Sequence, residues 1–231
     1  MGEDRTMEKI APNILEIEQK AIEYINKNKK DFIEKFTKGI TPQNEKIAIL
    51  TAGMSGVGKT EFGIFLKEKN PHLLHIDTDE IREFFKPVGY NGNNSDIFQK
   101  PASKGFSKLF DYALKHKYSL ILDSNLSNLS KALENIKRLL DKEYRVEIFY
   151  LYNEPEHCYE YAIKREIVTK RKVPYEVFVK SNINSYKTVI ALKSILKNDI
   201  ILHYIDKRED KTYENINIDF LQEKIGTYFD T

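Results

Sequence analysis

Short apolar runs alternate with longer segments of helical periodicity along most of this chain. Apolar runs of about four to eight residues are typical of buried strands. Such runs read KIAILTA, LLHID, SLILD, RVEIFYLY and DIILHYID. Because helical patterns separate them, the chain predicts an α/β fold, with a parallel sheet flanked by helices on both faces. DIILHYID is the last predicted strand of this core.

Apolar residues three and four positions apart predict the helices between these strands. The clearest pattern lies between Ser103 and Lys117, where four apolar residues share one face. Other helices are predicted at Lys59–Lys69, Leu129–Lys142, Pro155–Thr169, Pro174–Leu196 and Phe220–Phe229, and one more starts near Thr78 or Asp79. The Gly- and Asn-rich segment Lys86–Asp96 is predicted to be a loop.

The first part of the chain has a pattern of its own. From Met7 to about Thr37, apolar residues recur at helical spacing, which predicts a helix or a pair of helices. The polar connector KGITPQNE follows and contains turn residues. We therefore predict an N-terminal helical segment, residues 1–44, packed on a single core domain, residues 45–231.

The amino-acid composition favours a globular protein and argues against some classes of binding partner. The 231 residues are 41% hydrophobic, which suffices for one full α/β core. The formal net charge of +2 argues against a general nucleic-acid binder. No apolar run has the length of a membrane span, so no membrane partner is expected. The single cysteine, Cys158, excludes a disulfide within the chain, and we expect a cytoplasmic protein.

The stretch GMSGVGKT follows the first predicted strand and precedes a predicted helix. It satisfies the pattern G-x-x-x-x-G-K-S/T, in which backbone N–H groups surround phosphate oxygens and the lysine reaches the β- and γ-phosphates. The alternative is a Gly-rich turn with an exposed lysine, but the strand and helix on either side favour nucleotide binding. The candidate nucleotide-binding residues are Gly53, Met54, Ser55, Gly56, Val57, Gly58, Lys59 and Thr60.

Two carboxylates end the second strand, in HIDTDEIR. Asp77 and Asp79 are two residues apart and would point to the same side of an extended segment. Asp79 could accept the proton of a substrate hydroxyl during attack on a γ-phosphate. The alternative is helix capping by Asp79 or Thr78, with Asp77 solvated. The position after the phosphate-binding lysine favours a catalytic role for Asp79. For Asp77, a role in supporting Mg²⁺ and a role in local structure are equally well supported.

Other polar residues complete the predicted site. Asp123 ends SLILD, as a carboxylate that holds Mg²⁺ would, and the Thr60 hydroxyl is the second candidate metal ligand. Arg165 and Arg171 flank a predicted lid at residues 165–173 that could close over a triphosphate. From composition alone, a solvated basic helix end is the better explanation for the two arginines.

These motifs together resemble a known family. In order along the chain they are PQNEKIAILTAGMSGVGKT, LLHIDTDEIR, YSLILDSN, IKREIVTKRKVP and ILHYIDKRED. With them the chain resembles the zeta-toxin family of P-loop kinases, the toxins of epsilon–zeta and related toxin–antitoxin pairs. The likeness extends from the N-terminal helix to about Asp210. It implies a P-loop kinase fold with a small helical lid.

The resemblance also implies an activity. Members of this family transfer the γ-phosphate of ATP to the 3′-hydroxyl of the sugar in UDP-N-acetylglucosamine. By this likeness Lys59 and Thr60 bind ATP and Mg²⁺, Asp79 is the base, and Arg165 and Arg171 clamp the phosphates. The candidate substrate-binding residues are Asp77, Arg82, Asp123 and Asn125, of which Arg82 matches the basic residue that closes the I-D-x-D motif.

The family likeness implies a partner as well. A small helical antitoxin would block the nucleotide site. Alternatively, the helical segment before Glu45 could inhibit the enzyme in cis, although we favour a packing role for it.

The sequence departs from the family pattern on the side of the phosphate acceptor. Asp123-Ser124-Asn125 replaces Glu-Gly-Thr, Lys108 aligns near a substrate-contacting glutamate, and Lys86-Pro87 replaces His-Pro. The kinase machinery is therefore better supported than the acceptor. Three hypotheses stay open: a toxin kinase of a UDP-sugar, a kinase of another nucleotide, nucleoside or dinucleotide, and a non-enzymatic nucleotide-dependent switch.

Overall fold

A six-stranded sheet forms the centre of the molecule. The computed structural model describes residues 4–170 and 173–229. Within them the strands are β1 (Ile47–Gly53), β2 (Leu74–Asp77), β3 (Leu120–Asp123), β4 (Arg145–Tyr152), β5 (Ile200–Asp206) and β6 (Lys211–Tyr213). Their order across the sheet is β2-β3-β1-β4-β5-β6. The first five are parallel and β6 is antiparallel to β5.

The helices connect these strands and precede them. In the described part of the chain they are α1 (Asp4–Lys27), α2 (Lys29–Thr37), α3 (Lys59–Lys69), α4 (Thr78–Glu83), α5 (Gln99–His116), α6 (Leu129–Leu140), α7 (Pro155–Thr169), α8 (Tyr175–Leu196) and α9 (Ile218–Ile225). Single 3₁₀ turns span Lys86–Val88, Lys197–Asp199 and Gly226–Tyr228. No helix of this part is both long and apolar enough to pass through a lipid bilayer.

Helices cover both faces of the sheet, which confirms the predicted fold class. Successive residues of a strand point to opposite faces. On one face Ile49 of β1 packs with Ile121 of β3 and Leu66 of α3. On the other face Leu50 belongs to the main hydrophobic core, which includes Val189 of α8.

The register of the parallel strands aligns their polar ends. Asp77 of β2 lies opposite Asp123 of β3, and Gly53 of β1 lies opposite Leu151 of β4. Because the carboxyl ends of parallel strands meet at one edge, the phosphate-binding stretch and the carboxylates that follow β2 and β3 are neighbours there.

The N-terminal helices pack on α4 and α5. A side chain at Gly105 of α5 would meet Ile81 of α4, Ile25 of α1 and Phe32 of α2, because these three already fill the space beside it. Phe32 is fully buried and its ring contacts Phe84 at 5.0 Å between centroids. Apolar side chains of α1 and α2 thus share the core of the sheet domain. The division into residues 1–44 and 45–231 stays a prediction.

Several elements differ from the sequence-based expectation. The edge strand β6 was not predicted, because KTY is short and polar and its pairing with β5 depends on a tertiary contact. Helix α5 begins at Gln99 rather than Ser103, since Pro101 in its first turn is compatible with a helix start. The last helix begins at Ile218 and ends at Ile225, where a 3₁₀ turn follows.

The packing of α2 generates a stability prediction. Phe32→Ala should lower the free energy of unfolding by about 3–5 kcal/mol, because it removes a buried ring and leaves a cavity. Urea denaturation of the purified protein measures the change. The matched control is Phe65→Ala on α3, whose side chain is 50% exposed. Equal effects of the two substitutions would contradict the placement of α2.

Candidate active site

The phosphate-binding loop connects β1 to α3 and is packed closely against β4 and α7. Gly53 has φ +124°, and a Cβ there would lie 2.2 Å from the carbonyl oxygen of Leu151. Gly56 has φ +81°, and a Cβ there would lie 2.1 Å from the carbonyl oxygen of Cys158 in α7. Only glycine fits at both positions. The loop can therefore curve tightly, with α3 starting directly behind it at Lys59.

The lysine of the loop lies within its curve. The Nζ atom of Lys59 donates hydrogen bonds to the carbonyl oxygens of Gly53 at 3.0 Å and of Met54 at 2.5 Å. Burial lowers the pKa of Lys59 to about 8, and the nearby Asp123 partly opposes this effect. The side chain is therefore mainly protonated at neutral pH. A cation at the start of α3, where backbone N–H groups point outward, suits an anionic ligand.

Asp123 is held beside the loop by a buried polar network. Thr51 Oγ1 donates to Asp123 Oδ1 at 3.0 Å, and His75 Nε2 lies 3.7 Å from Asp123 Oδ2. The latter distance exceeds a hydrogen bond, and Oδ2 has no hydrogen-bond partner among the described residues. Burial raises the pKa of Asp123, but His75, Lys59 and Thr60 together lower it by more. The pKa of this carboxyl is therefore below its ordinary value.

This unpartnered oxygen fits a cation. The described residues contain no cluster of three or more His, Cys, Asp or Glu side chains that could hold a metal by themselves. Mg²⁺, however, is commonly held by one or two protein oxygens together with substrate phosphates. Asp123 and the Thr60 hydroxyl, both beside the phosphate-binding loop, match that donor set.

Asp77 has a local structural role. Its Oδ1 accepts a hydrogen bond from the backbone N–H of Asp79 at 2.8 Å, so it is the N-cap of α4. The sequence suggested Asp79 or Thr78 as the cap of this helix, but the residue that caps it is Asp77. Asp77 is also buried rather than solvated, at 9% exposure. Burial, followed by the charges of Asp79 and Asp123, raises the pKa of Asp77 to about 6.

Asp79 lies between two arginines. Arg82 Nη1 donates to its Oδ1 at 2.5 Å, and Arg165 Nη2 donates to its Oδ2 at 2.6 Å. Arg82 is only 2% exposed, and its Nη2 also donates to Gln99 Oε1. These contacts place Arg82 where it can orient Asp79, and its role in substrate binding stays a prediction. Arg165 is half-exposed and belongs to α7.

The end of α7 contacts the loop after α4. A Cβ at Gly92, in the loop after α4, would lie 2.3 Å from the carbonyl oxygen of Thr169. Helix α7 ends at this residue. With the Arg165–Asp79 ion pair, this contact connects α7 to the elements that follow β2. Arg171, predicted to act with Arg165, lies outside the described residues, as does Lys172.

The acceptor-side residues are spread over separate positions. Asn125 follows β3, and its Oδ1 accepts from Ser127 Oγ at 3.3 Å. Lys108 of α5 has Lys29, at the start of α2, as a neighbour, and burial together with this charge lowers the pKa of Lys108. Lys86 forms a surface ion pair with Glu83. Lys108 and Lys86 thus have their nearest charged neighbours on helices rather than on the phosphate-binding loop.

Four supporting residues were missed by sequence reasoning. Thr51 and His75 contact Asp123, and Gln99 contacts Arg82. Ser185 of α8 accepts a hydrogen bond from the backbone N–H of Gly53 at 3.0 Å. Only His75 had a sequence signal, since it precedes Asp77 by two residues in the same strand. The other three become neighbours of the site through tertiary packing.

Comparisons with known proteins agree with this arrangement. A family model described as "Zeta toxin" matches residues 30–217 of the chain. A search of curated proteins gave no match.

Two solved structures illustrate the likeness in fold. The chain is similar to a structure of the PezAT chromosomal toxin–antitoxin system of Streptococcus pneumoniae, with 18% identity, a TM-score of 0.67, and coverage of 88% of this chain and 86% of that chain. It is also similar to the complex of AvrRxo1-ORF1 and -ORF2 with ATP, with 13% identity, a TM-score of 0.61, and coverage of 91% and 71%. At these identities the likeness shows a shared fold.

The buried cap of α4 generates a pH-dependent prediction. The pKa of Asp77 in the folded protein is about 6, above its ordinary value. Ionisation of this buried carboxyl opposes folding, so the stability of the protein falls as the pH rises from the ordinary pKa to about 6. Asp77→Asn removes this charge and keeps a capping oxygen. We expect the variant to be about 1–3 kcal/mol more stable than the wild type at pH 7.5 and similar to it near pH 4.

Urea denaturation at the two pH values, without divalent cations, measures this difference. Asp219→Asn is the control, because Asp219 is exposed in the first turn of α9. Equal destabilisation by Asp77→Asn at both pH values would show that the carboxylate itself is required.

Proposed function

Because the chain belongs to the zeta toxin family, we propose that it is an ATP-dependent kinase that acts as the toxin of a toxin–antitoxin pair. The proposed acceptor is the 3′-hydroxyl of the sugar in UDP-N-acetylglucosamine or a related UDP-sugar. The observation that carries the proposal is the position of Asp79. Its carboxylate is oriented by the buried Arg82 and contacted by Arg165, at the sheet edge that also holds the phosphate-binding loop.

The donor nucleotide would bind by its phosphates. The backbone N–H groups of residues 53–60 and the start of α3 supply dipoles, and Lys59 supplies a full charge beside them. The packing of Gly53 against β4 and of Gly56 against α7 holds this loop in one curve. Preorganised donors need no rearrangement when charge develops on the transferred phosphoryl group.

Asp123 and Thr60 would hold Mg²⁺. The unpartnered Oδ2 of Asp123 and its lowered pKa favour an ionised ligand at this position. When bound, the metal would neutralise charge on the phosphates. Thr51 donates a hydrogen bond to the other oxygen of this carboxylate, and His75 lies beside it.

Asp79 would act as the general base. The acceptor oxygen forms a bond to the γ-phosphorus while the bond from that phosphorus to the β,γ-bridging oxygen breaks, and ADP leaves. The proton of the acceptor hydroxyl passes to Asp79. Arg165, which contacts Asp79 from the lid side, would supply positive charge near the transferred group. Arg171 is proposed to act beside it.

Two residues favour a second hypothesis, in which the phosphate acceptor is not a UDP-sugar. Asn125 stands after β3 where the family pattern has threonine, and Lys108 contributes a positive charge on α5. A kinase of another nucleotide, nucleoside or dinucleotide would use the same donor half of the site. A non-enzymatic switch would use the loop without Asp79.

The decisive substitution is Asp79→Asn. We expect it to lower the turnover of phosphorylated product by about 10²–10⁴-fold, because asparagine cannot accept the proton. The protein is incubated with Mg·ATP and UDP-N-acetylglucosamine, and mass spectrometry measures addition of one phosphate. Binding of ATP should change little in the same variant.

Glu80→Gln provides the matched control, since Glu80 is the exposed neighbour of Asp79 in the same helix turn. No product with UDP-sugars, but product with another acceptor in a panel, would replace the acceptor and keep the kinase. No product with any acceptor while ATP still binds would favour the switch.

A small helical antitoxin is the proposed partner. The packing of Ile25 and Phe32 in the core favours a structural role for α1 and α2, so restraint is expected from a separate protein. Induced expression of the chain alone should arrest bacterial growth, because a wall precursor is consumed, and Asp79→Asn should abolish the arrest. Growth curves measure this. Arrest by the Asp79→Asn variant at equal protein level would dissociate toxicity from phosphoryl transfer.

A further inference from the structure

His75 of β2 is buried beside the candidate metal ligand Asp123. The side chains of both residues are only 6% exposed. The Nε2 atom of His75 lies 3.7 Å from Oδ2 of Asp123, and neither atom has a hydrogen-bond partner among the described residues. Polar atoms that are removed from water without a partner lower stability. The structure therefore places two such atoms next to each other, one on an imidazole and one on a carboxylate.

Helix α3, which carries Thr60, leaves room for this imidazole. The helix has glycine at position 63, and a Cβ there would lie 2.9 Å from His75 Nε2. Glycine inside a helix lowers its stability relative to alanine, so the close approach of the ring, and not helix propensity, explains this residue. His75 thus lies against both elements that carry the candidate metal ligands, α3 with Thr60 and β3 with Asp123.

The imidazole and the carboxylate are complementary when the ring carries its proton on Nε2. Oδ1 of Asp123 already accepts a hydrogen bond from Thr51 Oγ1 at 3.0 Å. At Oδ2 the separation exceeds a hydrogen bond, but the attraction between an N–H group and an anionic oxygen extends further in a buried setting. A carboxylate oxygen offers more than one lone pair, so Oδ2 can interact with the imidazole and still bind a cation.

From these observations we propose that His75 is a positioning residue for Asp123. Its N–H group restrains the Oδ2 side of the carboxylate, as Thr51 restrains the Oδ1 side. Orientation of the carboxylate matters because Mg²⁺ requires nearly ideal octahedral geometry. The proposal rests on the proposed function, because it concerns the metal that accompanies the donor nucleotide. His75 should therefore determine how much Mg²⁺ strengthens nucleotide binding and leave metal-free nucleotide binding unchanged.

The test measures nucleotide affinity with and without the metal. The full chain is titrated calorimetrically with β,γ-imido-ATP, whose terminal phosphate is not transferred, once in Mg²⁺ and once in EDTA. The ratio of the two affinities is the gain due to the metal. His75→Phe keeps a ring of similar size but removes the N–H group. We expect it to lower the gain about tenfold and to change the affinity in EDTA less than about twofold.

Two amide variants separate the N–H group from the packing of the ring. His75→Gln can bring an amide N–H close to the position of Nε2, whereas the side chain of His75→Asn is one methylene shorter. We expect His75→Gln to retain most of the gain and His75→Asn to lose about as much as His75→Phe. Urea denaturation checks that each variant is folded. If His75→Phe does not fold, the comparison of the two amide variants decides.

His72→Asn is the matched control, because His72 is exposed in the segment before β2, and it should leave the gain unchanged. A full gain in His75→Phe or in His75→Asn would overturn the proposal. Equal losses in the two amide variants would overturn it too, since the ring would then act by packing alone. If the wild type does not bind the analogue under either condition, the proposed function fails as well. Equal binding by the wild type in Mg²⁺ and in EDTA rejects the metal ligands and this proposal but keeps nucleotide binding.

Discussion

The close packing of the phosphate-binding loop against β4 and α7 is the constraint on which the rest of the site depends. The backbone at Gly53 and Gly56 leaves no room for a side chain, so the loop, the end of β4 and the first turns of α7 form one rigid unit. Ser185 adds α8 to this unit through the N–H of Gly53. Helix α7 starts from this packed point, and a later turn of it places Arg165 against Asp79.

Acidic and basic side chains lie next to one another in the site. Lys59 and Asp123 form one pair beside the loop, and Arg82, Asp79 and Arg165 form a series beside β2. Each buried charge has an opposite charge or a hydrogen-bond donor next to it, which offsets the cost of removing it from water. Asp77 has a hydrogen-bond donor, the backbone N–H of Asp79, but no opposite charge as close. Burial, followed by the charges of Asp79 and Asp123, therefore raises its pKa.

The donor and acceptor halves of the site differ in how much of the chain supports them. The donor half rests on backbone packing, on buried side chains and on contacts from β1, α7 and α8. Of the residues predicted for the acceptor half, Asn125 follows β3 in a loop, whereas Lys108 lies in α5. Loops on a rigid scaffold tolerate change more readily than packed elements. The departure from the family pattern at Asn125 is consistent with its position in a loop.

Local patterns were sufficient for much of this molecule. Apolar runs and helical periodicity depend on neighbouring residues alone, so the five parallel strands and the bounds of α3 and α7 followed directly from them. The stretch from Gly53 to Thr60 could also be recognised, because its chemistry resides in consecutive residues.

Tertiary structure decided what depends on residues far apart in the chain. The bond between Asp79 and Arg165, the support of Arg82 by Gln99, and the pairing of β6 all join segments that no local pattern relates. The sequence by itself determined most of the elements and the stretch at which phosphates are predicted to bind. Only the packing of those elements determined which side chains orient one another, since that depends on distances that the chain order does not contain.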